Sequence, residues 1–241
     1  MNKNIGFRRN IYLSWMDAAA AFSAETPDLA ELRARLDPVV AQQIASPEGR
    51  RMAIDVLITI WGKGAARRPA LHADASALFA QSSTVDDRIW LHYGMTLAAY
   101  DFFRLGVITI GQLSRYQETI TPKEVKQRLV ADLGQMGSLD NAADRILFTL
   151  RNWGILAETE KRHAYRPLRG QFVASDPALE EWLLAAALTA HPAGELPFAD
   201  LVRLPELFPF RVTVGVDQLR RSERFDVFRQ GSGWDAVSLR G

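Results

Sequence analysis

The chain has 241 residues, 48% of them hydrophobic and 24% charged, an ordinary globular composition with room for one large domain or two to three small ones. It has no cysteine, which excludes disulfide scaffolds, thiolate metal sites and cysteine nucleophiles; its four histidines, His72, His92, His163 and His191, are too far apart for a motif such as HExxH. The formal net charge of +1 gives no global signature of nucleic-acid binding, and no apolar run reaches the roughly eighteen residues of a membrane span.

Lys3, Arg8 and Arg9 precede an apolar stretch ending in small residues, which mimics an export signal. Asp17 interrupts its apolar core, so residues 11–24 read as a buried first helix and the protein as cytoplasmic. After Thr26-Pro27, Leu29, Leu32, Leu36, Val39 and Val40 recur at helical spacing, with Pro38 expected to kink or split the run. Pro47-Glu48 opens a third helix, apolar on most sides through Met52, Ile54, Val56, Leu57 and Ile60. Residues 62–70 read as a basic loop and 73–81 as a short helix. Asp86 or Asp87 is expected to cap a long apolar helix from Arg88 to about Phe103. Residues 1–105 thus form an expected helical bundle domain.

Residues 106–172 are more informative. A short helix over 107–117 is followed by Thr121-Pro122, an N-cap with proline behind it, and by Glu124, which completes a capping box. After a turn at Gly134–Gly137, Ser138 caps a helix whose stripe of Leu139, Ala143, Ile146, Leu150 and Trp153 faces a core. Gly154 ends that helix, and residues 155–159 and 163–168 read as two strands around Glu160-Lys161-Arg162. Residues 173–241 repeat the theme. A helix over 178–190 is capped by Ser175 or Asp176, short helices follow at 197–204 and 216–222, and alternation around Gln230-Gly231-Ser232-Gly233 marks a hairpin.

Helix, helix, turn, helix and two-stranded ribbon is the order of a winged helix-turn-helix. The segment RILFTLRNWGILAETEKRHAYRPL resembles the junction of recognition helix and wing in that superfamily. The resemblance implies a mainly α protein, a helical bundle followed by two winged-helix-like α+β units at 106–172 and 173–241. The layout of a helical domain followed by a winged helix also resembles the small accessory proteins of bacterial BREX-type phage-defence islands.

Charge is informative by region. Between Arg145 and Arg169, six cations face only Glu158 and Glu160, whereas from Gln171 to Asp200 there are five acids and no lysine or arginine. The last region regains Arg203, Arg211, Arg220, Arg221, Arg224 and Arg229. Local positive charge of this kind suits phosphate contact, and arginine suits it best because of its planar fork.

On the helix over 138–153, Asn141, Arg145 and Asn152 are candidates for base edges in the major groove. Asp144 opposes that role, and Phe148 points to packing against another domain or a protein partner. Lys161, Arg162, His163 and Arg166 on the wing are candidates for backbone phosphates. Gln218, Arg220, Arg221, Arg224 and Arg229 form a second candidate contact; their alternative is a surface set paired with Asp217, Glu223 and Asp226. Phe208, Phe210, Phe225, Phe228 and Trp234 are expected in the core.

No phosphate-binding loop, dinucleotide fingerprint, nucleophile elbow or calcium loop occurs. Glu158-Thr159-Glu160-Lys161 sets acids beside a lysine, as PD-(D/E)xK nucleases do, but the nearest partner acid, Asp144, falls on a predicted helix. The expectation is a non-enzymatic double-stranded DNA-binding protein without metal or cofactor, docking a protein partner through its bundle or the Phe148 face. The alternatives are an adaptor in a larger complex, or a transcription factor with a ligand cavity near Trp61, Trp90 and Tyr100.

Overall fold

The computed structural model describes residues 6–7, 9–135, 137–231 and 233–240; Lys3, Arg8 and Ser232 lie outside them. Among the described residues the chain is mainly helical, with two small antiparallel sheets.

The first stretch holds α1 (Leu13–Glu25), α2 (Leu29–Ala41), α3 (Pro47–Leu57), α4 (Gly64–Arg67), α5 (Pro69–Gln81), α6 (Val85–Ala99) and α7 (Asp101–Leu113). Asp28 and Ser46 cap α2 and α3 by accepting backbone N–H groups. α2 runs unbroken past Pro38 to Ala41, so Pro38 does not split it. Residues 64–67, expected as loop, are helical, and a π-helical turn at Ile58–Gly62 joins them to α3. Thr84, not Asp86 or Asp87, caps α6, accepting the Asp87 N–H at 3.1 Å. The expected long helix to Phe103 breaks at Tyr100, whose φ of −135° and ψ of 103° are extended, and α7 starts afresh at Asp101.

Next come α8 (Pro122–Leu133), α9 (Leu139–Asn152), β1 (Leu156–Glu158) and β2 (Tyr165–Pro167). The capping box at Thr121 and Glu124 forms in full. Ser138 precedes α9 but makes no side-chain cap, since its φ of −101° and ψ of −3° are already helical rather than extended. Leu139, Ala143, Ile146 and Leu150 are buried as the stripe requires, and Gly154 leaves the helix at φ +71°. Ile120 adds an unforeseen third position to this sheet, exchanging two 2.8 Å backbone hydrogen bonds with Tyr165. The lateral order is therefore Ile120, β2, β1.

The last stretch holds α10 (Pro177–Ala190), β3 (Glu195–Pro197), α11 (Phe198–Leu201), a 3-10 turn (Pro205–Leu207), α12 (Val216–Arg221), β4 (Phe225–Gln230) and β5 (Trp234–Leu239). Its sheet has the order β3, β5, β4. The order helix, strand pairing, helix, helix, hairpin thus recurs from α7 and from α10, with the single bridging residue Ile120 in the first where β3 stands in the second, and with the 3-10 turn added in the second; Ile120 and β3 each pair with the second hairpin strand.

One apolar core runs from Phe7 to Val237. Helices α6 and α10 meet at Gly94, where a Cβ would stand 2.4 Å from the Trp182 ring. Helix α7 meets the 205–207 turn at Gly111, where a Cβ would stand 2.0 Å from the Pro205 carbonyl oxygen. The apolar elbow Leu207-Phe208-Pro209-Phe210 docks beside them, with the Phe210 ring 4.5 Å from Trp90 and 5.0 Å from Tyr93. Three buried carboxylates fasten the last stretch to the rest or to itself. Asp87 accepts from the Ser175 N–H and hydroxyl, Glu180 from the Thr213 and Val214 N–H groups, and Glu206 from Arg104. The acids at Gln171–Asp200 are in part accounted for internally: Asp176 caps α10 and Glu181 holds Gln218 and Arg224. The boundary drawn at 105/106 falls inside α7.

Candidate nucleic-acid interface

One side of α9, from Arg145 to Asn152, is met by the chain's own N-terminal segment. The Ile11 N–H donates to Thr149 Oγ1 at 3.2 Å, and the Leu13 N–H donates to Asn152 Oδ1 at 2.8 Å. Arg145 donates to Asn10 Oδ1 at 3.2 Å, and the Phe148 ring lies edge-on to Tyr12 at 5.2 Å. Asp144 pairs with Lys126 at 2.8 Å. Of the three base-edge candidates, Asn141 faces solvent, while Arg145 and Asn152 hold the N-terminal segment in place. Phe148 is half-buried: one side packs on Tyr12, and it also lines a cleft with Arg151, Asn152, Leu156 and Glu158.

The wing residues Lys161, Arg162, His163 and Arg166 are all exposed. The turn is tight, with His163 at φ +58° and the Thr159 hydroxyl bonded to the Ala164 carbonyl. Glu158 pairs with Arg151, which also lies over the Tyr165 ring at 4.8 Å. Among the described residues no group of three His, Asp or Glu side chains is placed to hold a metal ion.

The second candidate set divides. Gln218 donates to Glu181, Arg220 pairs with Asp217 and Asp235, and Arg224 pairs with Asp74 at 2.6 Å. Arg221 and Arg229 are exposed and stand in no ion pair among the described residues. Phe208, Phe210 and Phe225 are buried as expected, but Phe228 and Trp234 are 41% and 43% exposed. The pairing of Phe228 with Ala236 and of Gln230 with Trp234 puts both aromatics on one face of the ribbon, opposite the face that buries Phe225 and Val237.

The fold also gathers a set of arginines that sequence reasoning did not assign. A cleft of about 960 Å³ between the end of α7, the turn at 169–170 and the elbow is lined by Arg115, Arg169, Arg203 and Arg211. A second cleft of about 480 Å³ shares Arg115 and Arg169 and adds Arg166 from the wing and Tyr116. Five arginines therefore line one continuous groove, and Asp200 and Glu118 are the only acids along it. None of the five stands in an ion pair among the described residues.

Two of the five are positioned instead by neutral oxygens. Arg115 donates to the Arg203 carbonyl at 2.9 Å; Arg169 donates to Ser114 Oγ at 2.8 Å and the Gly111 carbonyl at 3.3 Å. The C-terminal end of α7, where free carbonyls carry partial negative charge, steadies Arg169 without neutralising it. Held in this way, a guanidinium keeps its full charge and its remaining N–H donors for an incoming anion. The groove was invisible in sequence because Arg115 and Arg211 are almost a hundred residues apart. Its one trace was the surplus of arginine over acid near Arg169 and Arg203.

Two further spaces carry other expectations. Trp61 and Trp90 are fully buried in the core, and Tyr100 lines a cleft of about 680 Å³ with Arg51, Asp55 and Arg67, to which neither tryptophan contributes. A cleft of about 810 Å³ between α5, α10 and α12 has mixed charge from Arg68, Asp74, Glu181, Arg221, Glu223 and Arg224. No helix among the described residues is long and apolar enough to cross a membrane. Comparison with known proteins finds no matching family model, curated protein or solved structure.

Proposed function

We propose that the protein binds double-stranded DNA through its phosphate backbone, with little sequence preference and without catalysing a reaction on it. The observation that carries this reading is the groove of five arginines without carboxylate partners, continuous with the exposed wing. Backbone recognition needs only fixed, unneutralised cations spaced along a surface. Near-zero net charge is no obstacle, because counterion release is governed by the cations that meet the phosphates.

The two stretches are read as tandem winged-helix units. The shared element order supports this, as does the shared pairing of the short strand with the second hairpin strand. In this reading the wings and the groove between the units meet the duplex, and α9 acts as a structural helix because the N-terminal segment covers it. Fluorescence anisotropy of a labelled random duplex of about 30 base pairs, titrated at several salt concentrations, tests the proposal. Binding that weakens steeply with salt is expected; no binding at low salt contradicts it.

A second reading is a protein-docking adaptor. The observation favouring it is the pair of exposed aromatics Phe228 and Trp234 on the outer face of the β4–β5 ribbon. Absence of DNA binding, together with a partner lost on Trp234→Ala substitution, would establish it in place of the first.

A further inference from the structure

We infer that the Tyr116 corner of the groove takes an unpaired nucleotide, so that the preferred substrate is DNA whose duplex ends in, or is interrupted by, a single-stranded segment. This rests on the DNA-binding reading above and narrows it. Tyr116 is 90% exposed, far beyond any other large apolar side chain among the exposed ones, and it follows directly on α7. Its backbone is fixed in the turn by a 3.0 Å bond from its N–H to the Leu113 carbonyl, so the ring stands on a firm support.

The surroundings give the ring a use. It shares its cleft with Arg115, Arg166 and Arg169, three guanidiniums that stand in no ion pair among the described residues. An exposed aromatic beside free arginines is the arrangement that holds single strands: a base stacks on the ring and the flanking phosphates fall on the cations. A paired base inside a duplex has both faces covered by its neighbours, and the end pair offers one face fixed perpendicular to the helix axis, whereas an unpaired nucleotide can turn its face to Tyr116 while its phosphates reach the arginines. Glu118 at the rim repels phosphate but accepts hydrogen bonds, which suits the exocyclic amine of a base. The arginine-lined cleft beyond it leads away towards Arg203 and Arg211, where the adjoining duplex backbone would lie.

The test compares a blunt duplex of about 20 base pairs with the same duplex carrying a thymidine extension of about six nucleotides, in each polarity, by anisotropy at fixed salt. The extended duplex is expected to bind about tenfold tighter than the blunt one in at least one polarity, the size of one good base–aromatic stack. Tyr116→Ala should abolish that preference, so that blunt and extended duplexes bind equally, and Tyr116→Trp should keep it. Because the side chain is exposed, neither substitution is expected to alter thermal stability. Equal affinity for blunt and extended DNA, or a preference that survives Tyr116→Ala, overturns the inference and leaves the DNA-binding reading standing. Failure to bind either DNA overturns both.

Discussion

Gly111 and His92 show how single positions set this molecule's tolerance. At Gly111 a methyl group would meet the backbone oxygen of Pro205 at 2.0 Å, and backbone cannot move aside as a side-chain tip can. Gly111→Ala should therefore cost about 1–3 kcal/mol of stability, measured as a lower denaturant midpoint at unchanged slope; an unchanged midpoint would show that the contact is not tight. His92 is wholly buried and presents Nε2 to Asp17 at 3.0 Å, while Nδ1 has no partner. Burial pushes its pKa down more than the facing Asp17 carboxylate raises it, and Arg88 alongside adds slightly to the lowering. His72 is pushed down by burial as well.

The sign follows from which state takes the proton. A histidine whose folded pKa lies below 6.5 is protonated first in the unfolded chain, so stability is complete above that value and is lost as pH falls from 6.5 towards the folded pKa. The melting temperature should therefore drop between about pH 7.5 and pH 5, and His92→Gln, which keeps a donor for Asp17, should shrink the drop. A flat profile over that range would contradict the buried neutral imidazoles. Asp17 behaves oppositely in position. Burial raises its pKa, but His92 and Arg88 outweigh that and hold it below 3.8, so its contribution is lost only at lower pH.

Among the elements, those bounded by local chemistry were readable in sequence and those bounded by distant contacts were not. Thr121 and Glu124 announced α8, Gly154 the end of α9, and Asp176-Pro177 the start of α10, because caps and positive φ are set within a few residues. The break at Tyr100 was hidden, since apolar residues run through it on both helices and give no change of period. β3 is three residues long and ends in proline, so it carries no alternation; only pairing with β5 makes it a strand. The cover over α9 is a contact between residues 10–13 and 145–152, which no window of sequence contains. It also yields a prediction. Asn152→Ala removes the only side chain accepting from the first turn of α1, where Tyr12 makes no side-chain cap. The loss should be about 1 kcal/mol of stability with duplex affinity intact. Weakened DNA binding at unchanged stability would put α9 in the groove after all.

At the scale of the whole molecule, the stretches expected as separate domains share a core. Trp182 of α10 fills the space left by Gly94 on α6 and donates its indole N–H to the Leu71 carbonyl at 3.0 Å. Removing residues 173–241 would open that slot and the face of α6 around it. A chain ending at residue 172 should therefore expose apolar surface and lose cooperative melting, whereas a stable, cooperatively melting fragment would show that α10 is dispensable. The same packing builds the groove, because Gly111 brings α7 against the 205–207 turn and so sets Arg115 and Arg169 beside Arg203. The mainly helical class was legible from periodicity and caps, but the arginine groove exists only after the last stretch docks.

The most direct measurement is the salt dependence of duplex affinity for the unaltered chain and for the Arg166→Ala, Arg169→Ala, Arg203→Ala variant. If these side chains meet phosphates, log affinity falls steeply with log salt in the unaltered protein. Each lost contact then lowers the slope by about 0.9, so the variant should be shallower by about two to three units and weaker at every salt concentration. Identical slopes, or no binding by the unaltered protein at low salt, would contradict a DNA-binding groove.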